Sequence, residues 1–221
     1  MSESININDV FKEIEKSDKS EYHRGKSWEH CYIFFRNYKK FGSDKLMADY
    51  AALHLGFFLA SWGMLRGSSF LLQKDYRYFL PVVRVLIKDQ YKVLWNVGYL
   101  NLNKNQESEI IDILFWLKDD ICKVMTHNNP DGRKPTDLLI TKIIMATMGC
   151  VPAYDQYFKA GLKRRGIKNN FSKKAFIDLL NFSRKKLEKL YIKKQPIKGT
   201  NYNYPTVKLI DLYFWLLGSQ K

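Results

Sequence analysis

Four side chains in this sequence have the types and settings that chemistry requires. Arg24 and His30 are separated by five residues, a spacing at which a cation can clamp a phosphate while an imidazole moves a proton. Lys142 interrupts the run Leu138-Leu139-Ile140-Thr141-Lys142-Ile143-Ile144-Met145, which is apolar almost all round and so belongs to a buried helix. A lysine in such a helix either snorkels to the surface or faces a cleft. Asp155 follows the rigid turn Val151-Pro152-Ala153-Tyr154 and precedes a basic helix. There it can cap the helix, and the helix end favours its ionised form. No GxGxxG, GxxxxGKS/T or HExxH motif is present, and the histidines (His23, His30, His54, His127) lack metal-ligand spacing. No metal and no cofactor is expected.

The elements that must position these groups are helical. Ser27 is expected to cap a helix through Phe41, and Ser43-Asp44 one that reaches about Leu65. A further helix is expected over Ser69–Tyr78, with Pro81 opening the next. From Gln106 to His127, apolar residues at Ile110, Leu114, Leu117, Ile121 and Val124 form one stripe. Asn128-Asn129-Pro130-Asp131-Gly132 then breaks the chain. Thr136 caps a helix ending near Gly149, and Ser172 one with Phe176, Leu179, Leu180, Leu187 and Leu190 on one face. Pro205 starts the last helix and Gly218 ends it. No stretch alternates with period two, so the fold class is all-α, a compact bundle of eight to ten helices.

Composition bounds the partners. The 221 residues are 46% hydrophobic, enough for a core, and carry a net charge of +15, which makes a polyanion the default partner. Residues 1–21 are acidic, at −3, whereas residues 156–198 hold eleven lysines and three arginines against Asp178 and Glu188, a net +12. Four basic clusters in succession there suit a phosphate-binding surface better than a merely solvated face. Cys31, Cys122 and Cys150 are scattered, which argues against a disulfide framework or a cysteine-rich metal site. The polar N-terminus and the lack of a clean 18-residue apolar run point to a cytoplasmic protein with no membrane partner.

Residues 130–167 carry the most specific pattern: Pro130-Asp131-Gly132-Arg133-Lys134-Pro135-Thr136, an apolar helix, Gly149-Cys150-Val151-Pro152-Ala153-Tyr154-Asp155, and a basic helix through Leu162-Lys163-Arg164-Arg165-Gly166-Ile167. This order resembles the helix-hairpin-helix DNA glycosylases of the endonuclease III-like superfamily. The hairpin here keeps a single glycine, and the C-terminal iron–sulfur cysteines of some members are absent. The resemblance implies two helical subdomains with a cleft between them: a hairpin-containing one over 80–150, and a second built from 1–79 plus 151–221. It implies a DNA partner whose target base is flipped out of the duplex, then excised by hydrolysis of its N-glycosidic bond.

In that reading Asp155 is the carboxylate that stabilises the oxocarbenium ion or activates water. Lys142 faces the cleft beside it without serving as a lyase nucleophile. Gly132, Arg133, Lys134 and Thr136 grip the DNA backbone together with Lys159, Lys163, Arg164 and Arg165. Trp28, Trp62, Arg66, Ser68, Ser69, Tyr154, Phe158 and Tyr213 are the base-pocket candidates. A damaged base or a bulky modified base of phage DNA is the expected substrate, in repair or phage defence. Arg24 and His30 also suit the motif of HEPN ribonucleases, and a non-catalytic helical nucleic-acid-binding protein is the other alternative.

Overall fold

The computed structural model describes residues 5–38 and 45–220. Among these residues the fold is a compact all-α bundle of α1 (Ile7–Asp18), α2 (Gly25–Tyr38), α3 (Lys45–Ser61), α4 (Leu80–Leu86), α5 (Lys104–His127), α6 (Asp137–Thr147), α7 (Gln156–Arg164), α8 (Lys173–Lys186), α9 (Glu188–Ile192) and α10 (Thr206–Ser219). Short 3₁₀ turns cover Tyr76–Phe79, Asp89–Asn96 and Tyr99–Asn101. No helix among the described residues is long and apolar enough to cross a membrane.

The caps read from sequence satisfy the first free amides of three helices. Thr136 Oγ1 accepts from Leu139 N at 3.3 Å, Asp155 Oδ1 from Phe158 N at 2.8 Å, and Ser172 Oγ from Ala175 N at 3.3 Å. Asn6 and Asp9 form a capping box that opens α1, a helix absent from the sequence reading. Ser27 is not a cap, because α2 already starts at Gly25. Its hydroxyl instead donates to Arg24 O, accepts from Trp62 Nε1 at 3.1 Å and lies 2.7 Å from Ser61 Oγ, which ties α2 to the end of α3. Phe41, Ser43 and Asp44, the expected boundaries around this junction, lie outside the described residues.

Ser69–Tyr78 is not an α-helix, and only its end, from Tyr76, is 3₁₀. Gly63 and Gly67 turn the chain at φ +73° and +59°, and Ser69 Oγ accepts from Leu71 N, a local bond that competes with helical pairing. Pro81 does open α4.

Helix α6 is the axis of the bundle. Every residue from Leu139 to Thr147 is buried, with α2, α3 and α5 packed around it. A single cluster of buried apolar side chains extends from Val10 to Leu217 and draws on both 80–150 and the remaining chain. Gly149 ends α6 at φ +68°, and the chain then doubles back along it. That return is anchored twice: Ala153 N donates to Asp211 Oδ1 at 2.9 Å, and Tyr154 N donates to Thr141 Oγ1 at 3.1 Å. Asp155 is thereby fixed to both α6 and α10.

Helices α7 and α10 approach backbone to backbone. A Cβ on Gly161 would stand 2.0 Å from Phe214 O, and one on Gly218 would stand 1.8 Å from Tyr157 O. Gly218 therefore lies inside α10 as a packing residue and does not end it. The helix continues to Ser219.

Candidate active site

A cavity of about 290 Å³ opens where α1, α2, α6 and α10 meet the return loop, at the small end of small-molecule sites. Lys142 reaches it from α6, Asp155 from the start of α7, and Lys208 and Asp211 from α10. Trp28 from α2 and Trp62, just after α3, also line it, and Arg24 stands just before α2. Residues spread from 24 to 211 thus converge on one volume.

Each group is held by identifiable contacts. Trp28 is 1% exposed, donates to Met145 O at 3.3 Å, and stacks on Tyr32 and Tyr204 with ring centroids 5.0 and 5.3 Å away. Trp62 is fixed through Ser27. The Arg24 guanidinium lies 4.4 Å from the Trp62 ring centroid, and Lys142 Nζ lies 5.6 Å from it. Lys142 donates to Trp62 O at 3.1 Å, and Lys208 pairs with Asp211 at 2.8 Å. Both cations have carbonyl or carboxylate partners, as buried ammonium groups require.

Burial governs the titration of the site. It pulls the Lys142 ammonium below its usual range, with Asp155 and Asp211 opposing. It pushes Asp155 above its ordinary range, an effect that Asp211 reinforces and that the Phe158 amide and Lys142 oppose. The sequence reading has the helix end favouring the ionised form. Desolvation reverses that preference, because the carboxyl is taken largely out of water. Two groups whose pKa values move towards each other across one cavity suit acid–base work.

A reaction that needs Asp155 ionised and Lys142 protonated is therefore expected to show two displaced limbs. Its rate rises with pH through a step above the 3.8 of an ordinary aspartate and falls through a step below the 10.5 of an ordinary lysine. A profile of kcat/KM against pH measures this. Limbs at the two ordinary positions would contradict it.

The other expected residues fall elsewhere. Of the Ser61–Ser69 segment, Trp62 reaches the cavity. Arg66 folds back over Gly63, Ser68 is exposed, and Ser69 is spent on the Leu71 amide. Tyr154, Phe158 and Tyr213 are core residues at 1%, 0% and 4% exposure. Tyr154 packs on Phe158 and Phe171, and Phe158 on Phe214, because α7 turns its apolar face to α10. Arg24 lines the cavity but His30 does not, so the two members of that pair are not brought together there.

In the loop between α5 and α6, Gly132 (φ +62°), Arg133, Lys134 and Thr136 are exposed, and none lines the cavity. Lys208 and Asp211 escaped the sequence reading. Their one signal is a charged pair three residues apart in the otherwise apolar α10.

The basic run over 156–198 lines no part of this cavity either. Lys159 is half-buried on α7, and Lys163 is exposed. Arg164 donates to Gln220 O and Arg165 to Tyr213 Oη, so both brace α7 against α10. Lys173 pairs with Asp112 of α5. Arg184 pairs with the mostly buried Glu107 and donates to Tyr99 O at 2.8 Å. Removing Glu107 takes the carboxylate from that partly exposed guanidinium, which keeps Tyr99 O, so Glu107→Ala is expected to cost on the order of 2 kcal/mol in urea denaturation, and Glu107→Gln less.

Comparison with protein-family models, curated proteins and solved structures finds no match to this chain.

Proposed function

We propose that this protein is a DNA N-glycosylase that takes a damaged or modified base into the cavity and hydrolyses its glycosidic bond. The observation that carries this reading is the meeting of Asp155 and Lys142 in one base-sized cavity that Trp28 and Trp62 also line. Indole walls suit a planar heterocycle. As the glycosidic bond breaks, positive charge develops on the sugar. A carboxylate held at a fixed position offsets that charge and takes a proton from the attacking water. Lys142 stands within electrostatic reach of Asp155 and opposes the effect of burial on it, which keeps the carboxylate available. Its amine is bonded to Trp62 O, so Lys142 serves here as a charge and not as a nucleophile.

The test is to incubate the protein with duplex and single-stranded DNA carrying diverse lesions and modified bases, including bulky phage-type modifications. Released base and alkali-labile abasic sites are expected from at least one substrate. Borohydride is expected to trap no covalent DNA adduct. No abasic product on any substrate would refute the reading, and a trapped adduct lost in Lys142→Met would reassign Lys142 as a nucleophile.

A further inference from the structure

A second cavity, of about 500 Å³, borders the Trp28–Tyr32–Tyr204 stack through Tyr32 and Tyr204. Tyr204 belongs to both walls, Trp28 to the first and Tyr32 to the second. Arg36 is the single charged residue among those lining this second cavity. Its guanidinium sits 5.9 Å from the ring centroids of both Tyr32 and Tyr202, and one arm donates to Trp95 O. Its Nε is buried and has no hydrogen-bond partner among the described residues. With Nε buried and Nη1 committed to Trp95 O, Nη2 is the arm of the guanidinium left to donate to an anion in the cavity that Arg36 lines.

The remaining lining combines six aromatic residues and three asparagines with aliphatic side chains such as Val97, Leu100 and Met148. Tyr32 and Trp95 are largely buried and line the cavity, Tyr202 is anchored by a 2.6 Å bond to Asn37 Oδ1, and Asn201 and Asn203 are exposed. Gly149 lets the backbone pass close against Pro205 and Tyr32 at this wall. A Cβ there would stand 2.7 Å from Pro205 and 2.9 Å from Tyr32.

We propose that this second cavity is a nucleotide-binding site, with Arg36 taking the phosphate and the aromatic side chains taking the base. One cation with an uncommitted donor suits a phosphate group. Flat rings suit the base face, and amides suit its hydrogen-bonding edge. A free nucleoside monophosphate and a nucleotide within a DNA strand share this chemistry. The site is independent of the glycosylase reading, because none of its residues except Tyr204 borders the first cavity.

The test is calorimetric titration of the full chain with deoxynucleoside 5′-monophosphates, deoxynucleosides, inorganic phosphate and short single-stranded oligonucleotides. Binding of a monophosphate or an oligonucleotide is expected. Arg36→Gln should weaken it at least tenfold, and a deoxynucleoside without phosphate should bind at least tenfold more weakly than its monophosphate. Because Arg36→Gln also removes the bond to Trp95 O, Asn203→Asp supplies a second arm: a carboxylate at the exposed edge should weaken binding without disturbing the core. Binding of free monophosphates would identify a mononucleotide ligand, and binding of oligonucleotides alone a strand. Absence of both, or binding that survives both variants and is lost in Arg24→Ala, would overturn the proposal by emptying this cavity or moving the nucleotide to the first.

Discussion

Asp155→Asn is expected to lower the rate of base release by about a thousandfold, on the order of 4 kcal/mol of transition-state stabilisation. The substitution isolates charge from structure. Asp155 Oδ1 caps α7 by accepting from Phe158 N, and an asparagine oxygen can accept the same bond. The fold is therefore expected to survive, with a melting temperature close to that of the parent. The carboxylate that would face the sugar is gone, however, and the Lys142 ammonium loses the negative charge that acts on it most strongly. Asp155→Ala removes the cap as well and is expected to cost about 1 kcal/mol of stability in addition. Single-turnover base release and thermal denaturation of both variants measure these effects. Full excision by Asp155→Asn on a confirmed substrate would leave Asp155 with the capping role alone.

The largest effect on stability is expected at the α7–α10 crossing. Gly161→Ala and Gly218→Ala each place a methyl group about 2 Å from a backbone carbonyl oxygen, Phe214 O in one case and Tyr157 O in the other. No rotamer relieves a clash with backbone, so the helices must separate. Each substitution is expected to cost on the order of 3 kcal/mol. The damage reaches the site as well, because α7 begins at Asp155 and α10 carries Lys208 and Asp211. Base release should fall together with the melting temperature, whereas in Asp155→Asn it falls alone. A melting temperature unchanged by either alanine would mean that the two helices do not meet at these glycines.

The distinction between these two variants marks the reach of sequence reasoning. Helix periodicity and caps act over three or four residues, so the stripe of α5, the caps Thr136, Asp155 and Ser172, and the all-α class could be read directly. The same local logic assigned Gly218 to a helix end. Its actual role depends on Tyr157, which local pattern cannot see. Local logic also ran a helix to about Leu65 and started another at Ser69, whereas α3 ends at Ser61 and two left-handed glycines turn the chain.

The site was half legible for the same reason. Asp155 and Lys142 stood out as a carboxylate at a helix start and a charge in an apolar helix, and Trp28, Trp62 and Arg24 were each noted. What joins them with Lys208 and Asp211 is the doubling back of the chain after Gly149 and the docking of that loop on α10. The direction of Asp155's titration also changed there, because burial is a property of the packed whole and a helix end is not.

Charge shows the division most plainly. The sequence by itself determined that +12 resides in residues 156–198 and that a helical, strongly basic protein results. Only the tertiary structure decided where those charges are used. Arg164, Arg165, Lys173 and Arg184 are turned onto Gln220, Tyr213, Asp112 and Glu107, while the cations at the first cavity are Arg24, Lys142 and Lys208. Net charge is a sum over the chain, whereas a site needs charges at one place, and packing selects which of them arrive there.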